Sequence, residues 1–457
     1  MRAATLVCLA LFTCGCFSEQ SIRMTPSDAR PMSGAPATIR ERTTRSWLRA
    51  AHAQFQHLLP SDGGSALLTE DLVDRDGCPV DVLTRFGQDR RRLRTIVGNF
   101  SGIRYTAVAA SRSSYIDVEA PAWPGFETVW IPVHSRFSMC ARVGYARTAD
   151  GRIADADVLV IMPGFFGDNG VLRTRDLAVT LRECGYHVAA IEPRGHGQTE
   201  ARYPEISSTF GVLEMADLMF VSDWLRQQPH VRRAGLIGFC WSANVALLAA
   251  WFDGREQNEP DLTPAVAACF APPAAAPRFA AGIVAFSPIL RWEEMVDELE
   301  SPVSPLKDPI LAGVQDTVRD RRARVGLCRE PGSLRELIEF DYRRCGVRVP
   351  RGVAEGLQFL RLLPYRDQTC TAKLNRARVP VLIVHGANDP LGPSQDVADL
   401  MAAVSNPNVA AIILPDGGHV GFAAYARRYY LSLIAGFFDP LEGAGAWGPK
   451  RDVMASQ

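Results

Sequence analysis

The chain has 457 residues, and its 50 Lys and Arg side chains balance its 50 Asp and Glu side chains. Hydrophobic residues make up 47% of the sequence and charged residues 22%, a composition typical of a globular protein with a sizeable core. A formal net charge of zero gives no electrostatic reason to expect a nucleic acid or another polyanion as a partner.

The first 16 residues differ from the rest of the chain and predict a signal peptide. Arg2 precedes an apolar run over 3–12, which is too short to span a bilayer as a mature anchor. Cys16 follows a glycine, as at the end of a bacterial lipoprotein signal. Cys14 is the alternative lipidation site, and an ordinary hydrophobic N-terminus is the simpler explanation. We expect an exported protein that is periplasmic, tethered to a membrane through a lipid, or secreted.

Two strand-like segments, 126–132 and 137–146, predict a hairpin that opens a sheet. Buried strand patterns then alternate with helical patterns, which predicts a mostly parallel α/β sheet with helices on both faces. The alternation breaks at 291–378, a charged and proline-containing stretch that is too long for a structureless loop. The predicted segments are a flexible linker at 17–35, an N-terminal extension at 36–125, a core at 126–290, a helical cap insertion at 291–378, the rest of the core at 379–440 and a loose tail at 441–457.

The chain has 11 cysteines, none in a CxxC pair or in a Cys/His set with the spacing of a zinc site. We therefore expect no metal ion. If the protein is exported, Cys328, Cys345 and Cys370 are the best candidates for disulfides because they lie in one region. Their connectivity does not follow from the sequence.

One stretch carries the strongest chemical signal. An apolar run ends at Phe239, Cys240 follows at once, and a run of helix formers comes next. Gly238 and Ser242 are small residues two positions before and after Cys240, as a sharp turn between strand and helix requires. The pattern is a variant of the G-x-S-x-G nucleophile elbow, with cysteine at its centre. A turn centred on Ser242 fits the spacing less well, and a plain buried cysteine remains the simpler alternative.

Two further residues stand where a nucleophile needs them. Asp389 lies on a loop after a buried strand, and His419 lies on the loop after the next strand. His419 can accept the thiol proton and later protonate a leaving group, and Asp389 can hold the imidazole in the required tautomer. Each alone has a structural explanation, because Asp389 could cap a helix and His419 could occupy an ordinary loop.

An oxyanion site requires two backbone N–H groups that point at the developing charge. We expect one from Trp241, directly after Cys240, and the other from Phe165, in the loop after the first parallel strand. The alternative is that Gly164 and Gly167 simply shape a turn there. The Gly-rich segment 192–199 lacks the G-x-G-x-x-G pattern, so a dinucleotide cofactor is not expected.

Together these motifs resemble the α/β-hydrolase superfamily, in which nucleophile, acid and histidine follow in this chain order. The resemblance covers about 126–440. A cysteine at the elbow is similar to the dienelactone-hydrolase branch, whereas the loop around His419 and the trailing Asn244 resemble capped esterases and lipases. The resemblance implies an α/β-hydrolase fold with an inserted helical cap.

The expected activity is hydrolysis of a small-molecule carboxylic ester, thioester or lactone by a Cys240–His419–Asp389 triad. The site would act without a cofactor and through a covalent acyl-enzyme. An acyltransferase with the same triad is the first alternative. A surface-anchored binding protein that keeps the fold without turnover is the second.

Overall fold

The computed structural model describes residues 123–134, 137–165, 167–255, 274–301, 333–344, 361–362, 373–386, 389–406, 408–414, 418–420, 430, 433–434 and 437–438. The predicted leader, linker and tail lie outside these residues, as do all but the last three residues of the predicted extension. The three candidate disulfide cysteines also lie outside them. These expectations therefore stay predictions.

The predicted hairpin is confirmed at one edge of the sheet. Strands β1 (Phe126–His134) and β2 (Phe137–Gly144) pair antiparallel over almost their whole length. Strand β2 is mainly buried, and its other edge pairs antiparallel with strand β4 (His187–Glu192). The hairpin therefore extends the sheet and leaves only β1 at this edge.

The remaining strands form the mostly parallel sheet that the alternating pattern predicts. They are β3 (Ala156–Met162), β4, β5 (Val231–Phe239), β6 (Gly282–Phe286), β7 (Val381–Gly386) and β8 (Val409–Leu414). The eight strands are ordered β1-β2-β4-β3-β5-β6-β7-β8, and β3 to β8 run parallel. The central strands are continuous apolar runs because helices cover both faces of the sheet.

The helices within the described ranges follow the strands at the expected places. They are α1 (Leu172–Glu183), α2 (Gly197–Arg202), α3 (Glu214–Arg226), α4 (Trp241–Asp253), α5 (Trp292–Glu300), α6 (Leu334–Arg344) and α7 (Ser394–Ala403). None of them combines the length and hydrophobicity that crossing a bilayer requires.

The core consists of one apolar layer on each face of the sheet. Along β3, Val158 and Val160 contribute to the layer that contains α3 and α4, whereas Leu159 and Ile161 contribute to the layer that contains α1. This alternation follows from the two-residue repeat of a strand. Helix α4 is buried along nearly its whole length, which explains why its sequence is apolar on every side.

The segment between β6 and β7 contains α5 and α6. Strand β7 nevertheless pairs directly with β6, so this segment is inserted between neighbouring strands. Tyr342 of α6 stacks on Phe210 with ring centroids 6.0 Å apart, and Arg291 forms ion pairs with Asp396 (2.9 Å) and Asp399 (2.7 Å) of α7. The described part thus carries helices packed on the core, while their action as a cap stays a prediction.

The buried side chain of Asn244 links α4 to the loop after β6 through two hydrogen bonds. Ile289 N–H donates to Asn244 Oδ1 at 2.7 Å, and Asn244 Nδ2 donates to the Ile289 carbonyl. The amide therefore satisfies both backbone groups of Ile289 at a position where water cannot replace it.

We expect Asn244→Ala to lower the free energy of unfolding by about 2–4 kcal/mol, because two buried backbone groups lose their partner. Gln228→Ala is the matched control, since the Gln228 amide also bonds a backbone carbonyl (Trp224, 3.0 Å) but at a partly exposed position. Urea unfolding of both variants measures the difference, and equal small losses would contradict the role of Asn244.

Candidate active site

Cys240 lies on a strained turn between β5 and α4. Its backbone has φ 56° and ψ −124°, which is rarely adopted by a residue with a side chain. Strand β5 ends at Phe239 and helix α4 begins at Trp241, so the turn has no residue besides Cys240. The Cys240 N–H donates to the Phe286 carbonyl of the neighbouring strand at 2.9 Å, which anchors the turn to the sheet.

The small residues around Cys240 are needed for steric reasons. A Cβ on Gly238 would lie 2.3 Å from the Ser242 carbonyl oxygen, so only glycine fits there. Ser242 is the second residue of α4, and its hydroxyl donates to the Pro163 carbonyl. The elbow is therefore centred on Cys240, and the alternative centred on Ser242 is wrong.

Asp389 and His419 meet although 30 residues separate them in the sequence. His419 Nδ1 lies 2.8 Å from Asp389 Oδ2, and both side chains are buried. The other carboxylate oxygen, Asp389 Oδ1, accepts the backbone N–H groups of Leu391 (2.8 Å) and Gly392 (3.0 Å). These bonds fix the orientation of the carboxylate and hence the orientation of the ring.

The sulfur of Cys240 interacts with the His419 ring. Burial by itself raises the pKa of the Cys240 thiol. The charge and hydrogen bond of His419, together with the Trp241 backbone N–H, outweigh burial, so the pKa lies below its ordinary value. Cys240 is half-buried, whereas the other free cysteines of the described residues, Cys140 and Cys184, are buried.

The pKa values of His419 and Asp389 are shifted in opposite directions by the same network. Burial lowers the pKa of His419, but Asp389 and Cys240 raise it above its ordinary value. Burial raises the pKa of Asp389, but the charge and hydrogen bond of His419 bring it below its ordinary value. The arrangement therefore favours a thiolate, an imidazolium and a carboxylate in one row.

The loop after β3 passes directly over the elbow. A Cβ on Gly164 would lie 3.2 Å from the Cβ of Cys240, so a side chain there would crowd the Cys240 side chain. The Gly167 N–H donates to the Gly164 carbonyl at 2.8 Å, which closes a tight turn around Phe165. Phe165 thus lies in the loop over the elbow and Trp241 at the start of α4, while an oxyanion site formed by their amides stays a prediction.

Aromatic rings surround this side of the site. The Phe165 ring contacts Phe210 (4.9 Å between centroids) and Trp292 (6.2 Å), and Trp292 contacts Trp241 at 4.4 Å. Trp292 belongs to α5, so the inserted segment contributes to the apolar surroundings of the elbow. A dry environment of this kind strengthens charge interactions within the site.

Two residues outside the predicted triad hold the loops of Asp389 and His419. Ser287, directly after β6, accepts the Val420 N–H at 3.1 Å through its hydroxyl oxygen. Val420 has φ 59°, a strained value for a β-branched residue, directly after His419. His385 Nε2 lies 2.6 Å from the Gly392 carbonyl, and burial lowers the pKa of His385 and keeps the ring neutral. No local motif marks Ser287, because its partner Val420 lies 133 positions away, whereas His385 bonds the loop that directly follows its own strand.

The segment after β4 is held against the core and contacts the loop over the elbow. Arg194 binds Asp217 of α3 through two hydrogen bonds of 2.6 and 2.7 Å, and His196 Nδ1 donates to the Arg194 carbonyl at 2.8 Å. The His196 ring also contacts Phe165 with centroids 6.3 Å apart. Within the described ranges, no group of three or more His, Cys, Asp or Glu side chains is arranged to hold a metal ion.

Solved structures of several enzymes are similar to this chain. An esterase from Pyrococcus furiosus is 16% identical, with 71% of this chain and 95% of the esterase covered and a TM-score of 0.42. A serine hydrolase from Cycloclasticus zankles is 15% identical, with 70% and 99% covered and a TM-score of 0.42. Est1E from Butyrivibrio proteoclasticus is 13% identical, with 67% and 96% covered and a TM-score of 0.39.

The model of one protein family, described as Serine aminopeptidase, S33, matches residues 155–422. The match spans more than half of the chain and includes the elbow, the Asp389 loop and the His419 loop. The chain therefore belongs to the Serine aminopeptidase, S33 family and has the α/β-hydrolase fold that its motifs predict.

Proposed function

We propose that the protein hydrolyses a small carboxylic ester, thioester or lactone and that Cys240 is its nucleophile. The observation that carries this proposal is the row of Cys240, His419 and Asp389, in which the thiol pKa is lowered at a strained elbow. A half-buried thiolate that a substrate can reach is a strong nucleophile.

In the first half of the reaction, the Cys240 thiolate attacks the carbonyl carbon and the C=O electrons move to oxygen. The backbone N–H groups of Trp241 and Phe165 stabilise this oxyanion. The tetrahedral intermediate then collapses, the C–O bond of the ester breaks, and the His419 imidazolium protonates the departing alkoxide. The products are a free alcohol and an acyl group bound to Cys240 as a thioester.

In the second half, neutral His419 takes a proton from water as the water oxygen attacks the thioester. The same N–H groups stabilise the second oxyanion, and the thiolate leaves as the acid forms. Asp389 stabilises the imidazolium in both halves and keeps Nε2 directed at the reacting atoms. If an alcohol takes the place of water, the product is a new ester, so product analysis with an added alcohol tests the acyltransferase alternative.

An ester or lactone suits a thiolate better than the peptide bond that an aminopeptidase, the enzyme in the family description, would cleave. The tetrahedral intermediate can expel either the thiolate or the original leaving group. An alkoxide that His419 protonates competes with the thiolate more successfully than an amine does. The predicted leader at 1–16 adds the proposal that the reaction takes place in the cell envelope or outside the cell.

We expect Cys240→Ala to abolish turnover of chromogenic esters and lactones of increasing chain length, because the acyl-enzyme cannot form. Cys240→Ser should retain at most weak activity, since the serine hydroxyl lacks the lowered pKa of the thiol. An alanine variant with wild-type turnover would refute the nucleophile. A serine variant as active as the wild type would refute thiol-specific chemistry.

Asp389→Asn should lower kcat by about 10²–10⁴-fold, because the amide cannot stabilise the imidazolium and favours the wrong tautomer of His419. Asp399→Asn is the matched control, since Asp399 also forms a short ion pair (Arg291, 2.7 Å) but lies on α7 outside this row. Steady-state kinetics on one ester separate the two variants. A loss of similar size in both would point to general destabilisation.

The pH dependence of iodoacetamide labelling at Cys240 reports the thiolate directly. Because the thiol pKa is lowered, the thiolate persists below the ordinary thiol range and is lost only as the pH falls through the lowered pKa. In His419→Ala the labelling profile should shift upward, towards the ordinary thiol pKa of about 8.5. Peptide mass spectrometry identifies the labelled residue, and coincident profiles would contradict the pairing.

A further inference from the structure

Glu192 places a carboxylate beneath the loop that passes over the elbow. It is the last residue of β4 and is 1% exposed. Glu192 Oε1 accepts the Asn169 N–H at 3.0 Å, and Oε2 accepts the Gln198 N–H at 2.7 Å. One carboxylate therefore joins the loop between β3 and α1 to the start of α2.

The loop between β3 and α1 is fixed at both of its ends. At the near end, Gly164 lies against Cys240, and the Pro163 carbonyl accepts the Ser242 hydroxyl. At the far end, Asn169 donates its N–H to Glu192. The Phe165 amide lies between these two attachments, so its direction depends on both.

The surroundings of Glu192 are unfavourable for a negative charge. Burial, and the nearby Asp168 carboxylate, raise the pKa of Glu192 to about 7, although the Asn169 and Gln198 amides and the Cys140 thiol act in the opposite direction. Burial and Glu192 raise the pKa of the Cys140 thiol, whereas the nearby Arg142 of β2 lowers it. A carboxylate in such a place is a weak source of folding stability.

The backbone near Glu192 is shaped around the carboxylate. A Cβ on Gly197 would lie 2.6 Å from the Glu192 carboxyl carbon, so the carboxylate occupies the space of a side chain. Gly197 also has φ 49°, which glycine adopts without strain. Both observations indicate that the backbone at Gly197 leaves room for the Glu192 carboxylate, which accepts the Asn169 and Gln198 N–H groups.

We propose that Glu192 is a positioning residue for the oxyanion site, which holds the loop so that the Phe165 N–H points at the oxygen that becomes charged. This inference rests on the proposed function and assigns a further residue to it. The Glu192 carboxylate bonds the Asn169 and Gln198 amides rather than Cys240, so we assign it no direct part in the reaction. Its effect passes through Asn169 and the turn that Gly164 and Gly167 close.

The test compares Glu192→Gln with Thr199→Val in the full-length protein. Glutamine keeps the size of glutamate but offers one acceptor oxygen, so one of the two amides loses its partner. The Thr199 hydroxyl donates to the Glu192 backbone carbonyl (2.7 Å) and accepts the Cys140 N–H (2.9 Å). These bonds do not involve the Glu192 carboxylate, so Thr199→Val is a structural control at a neighbouring position. Glu192→Asp, one methylene shorter, is a second variant, and thermal unfolding checks the fold of all three.

In Glu192→Gln we expect kcat to fall at least tenfold with KM changed less than twofold, because a misplaced oxyanion donor affects mainly the transition state. Iodoacetamide labelling of Cys240 should stay within twofold of the wild-type rate, since alkylation forms no oxyanion. Thr199→Val should lower the unfolding temperature without this selective loss of kcat. An unchanged kcat, a parallel loss of labelling, or an equal loss in Thr199→Val would overturn the inference.

The pH profile supplies a second readout. Since the pKa of Glu192 is raised to about 7, both amides keep their acceptors above this pH and one loses its acceptor as the pH falls through it. Wild-type kcat should therefore fall below about pH 7 while labelling of Cys240 continues, and Glu192→Gln should lack this step in kcat. The same step in both proteins would also overturn the inference. Absence of turnover in the wild type, by contrast, would refute the proposed function itself.

Discussion

The turn at Cys240 is the constraint on which the rest of the site depends. Its left-handed backbone lets an apolar strand lead directly into a buried helix and leaves the thiol half-buried at the edge of the sheet. Such a conformation costs about 1–3 kcal/mol and persists only where the surroundings fix it. Here a bond to β6 and the steric fit at Gly238 hold it. The sulfur therefore has a fixed position towards which the other loops are directed.

The charges that the network favours on Cys240, His419 and Asp389 alternate in sign along the row. Burial alone disfavours the ionised form of the Asp389 carboxyl, the His419 imidazole and the Cys240 thiol. Together they favour ionisation, since each charge lies beside one of opposite sign. The elbow contributes the Trp241 N–H as well, so the backbone of α4 supports the negative charge on sulfur. Charge interactions of this kind are strongest in apolar surroundings, and Trp292, which packs on Trp241, contributes to such surroundings here.

The sheet brings the loops together because parallel strands end at a common edge. The loops after β3, β5, β7 and β8 all emerge there, and short polar contacts from neighbouring strand ends fix their relative positions. Ser287 holds the His419 loop, His385 holds the loop of Asp389, and Glu192 holds the loop of Phe165. Each of these residues stands at or next to the end of a strand. Rigid elements thus set the positions of side chains and amides that themselves lie on loops.

The hairpin, the alternation of strands and helices, the elbow and the candidate acid and histidine can all be predicted from the sequence. These features are local: apolar runs, small residues around Cys240, and polar residues directly after strands, all of which a short window of sequence contains. Only the tertiary structure decided which supporting residues matter. Ser287 and Val420 are 133 positions apart, and Glu192 and Asn169 are 23 apart. Their hydrogen bonds arise from the order of strands in the sheet, and the raised pKa of Glu192 arises from burial among side chains of other segments, so no local pattern carries either property.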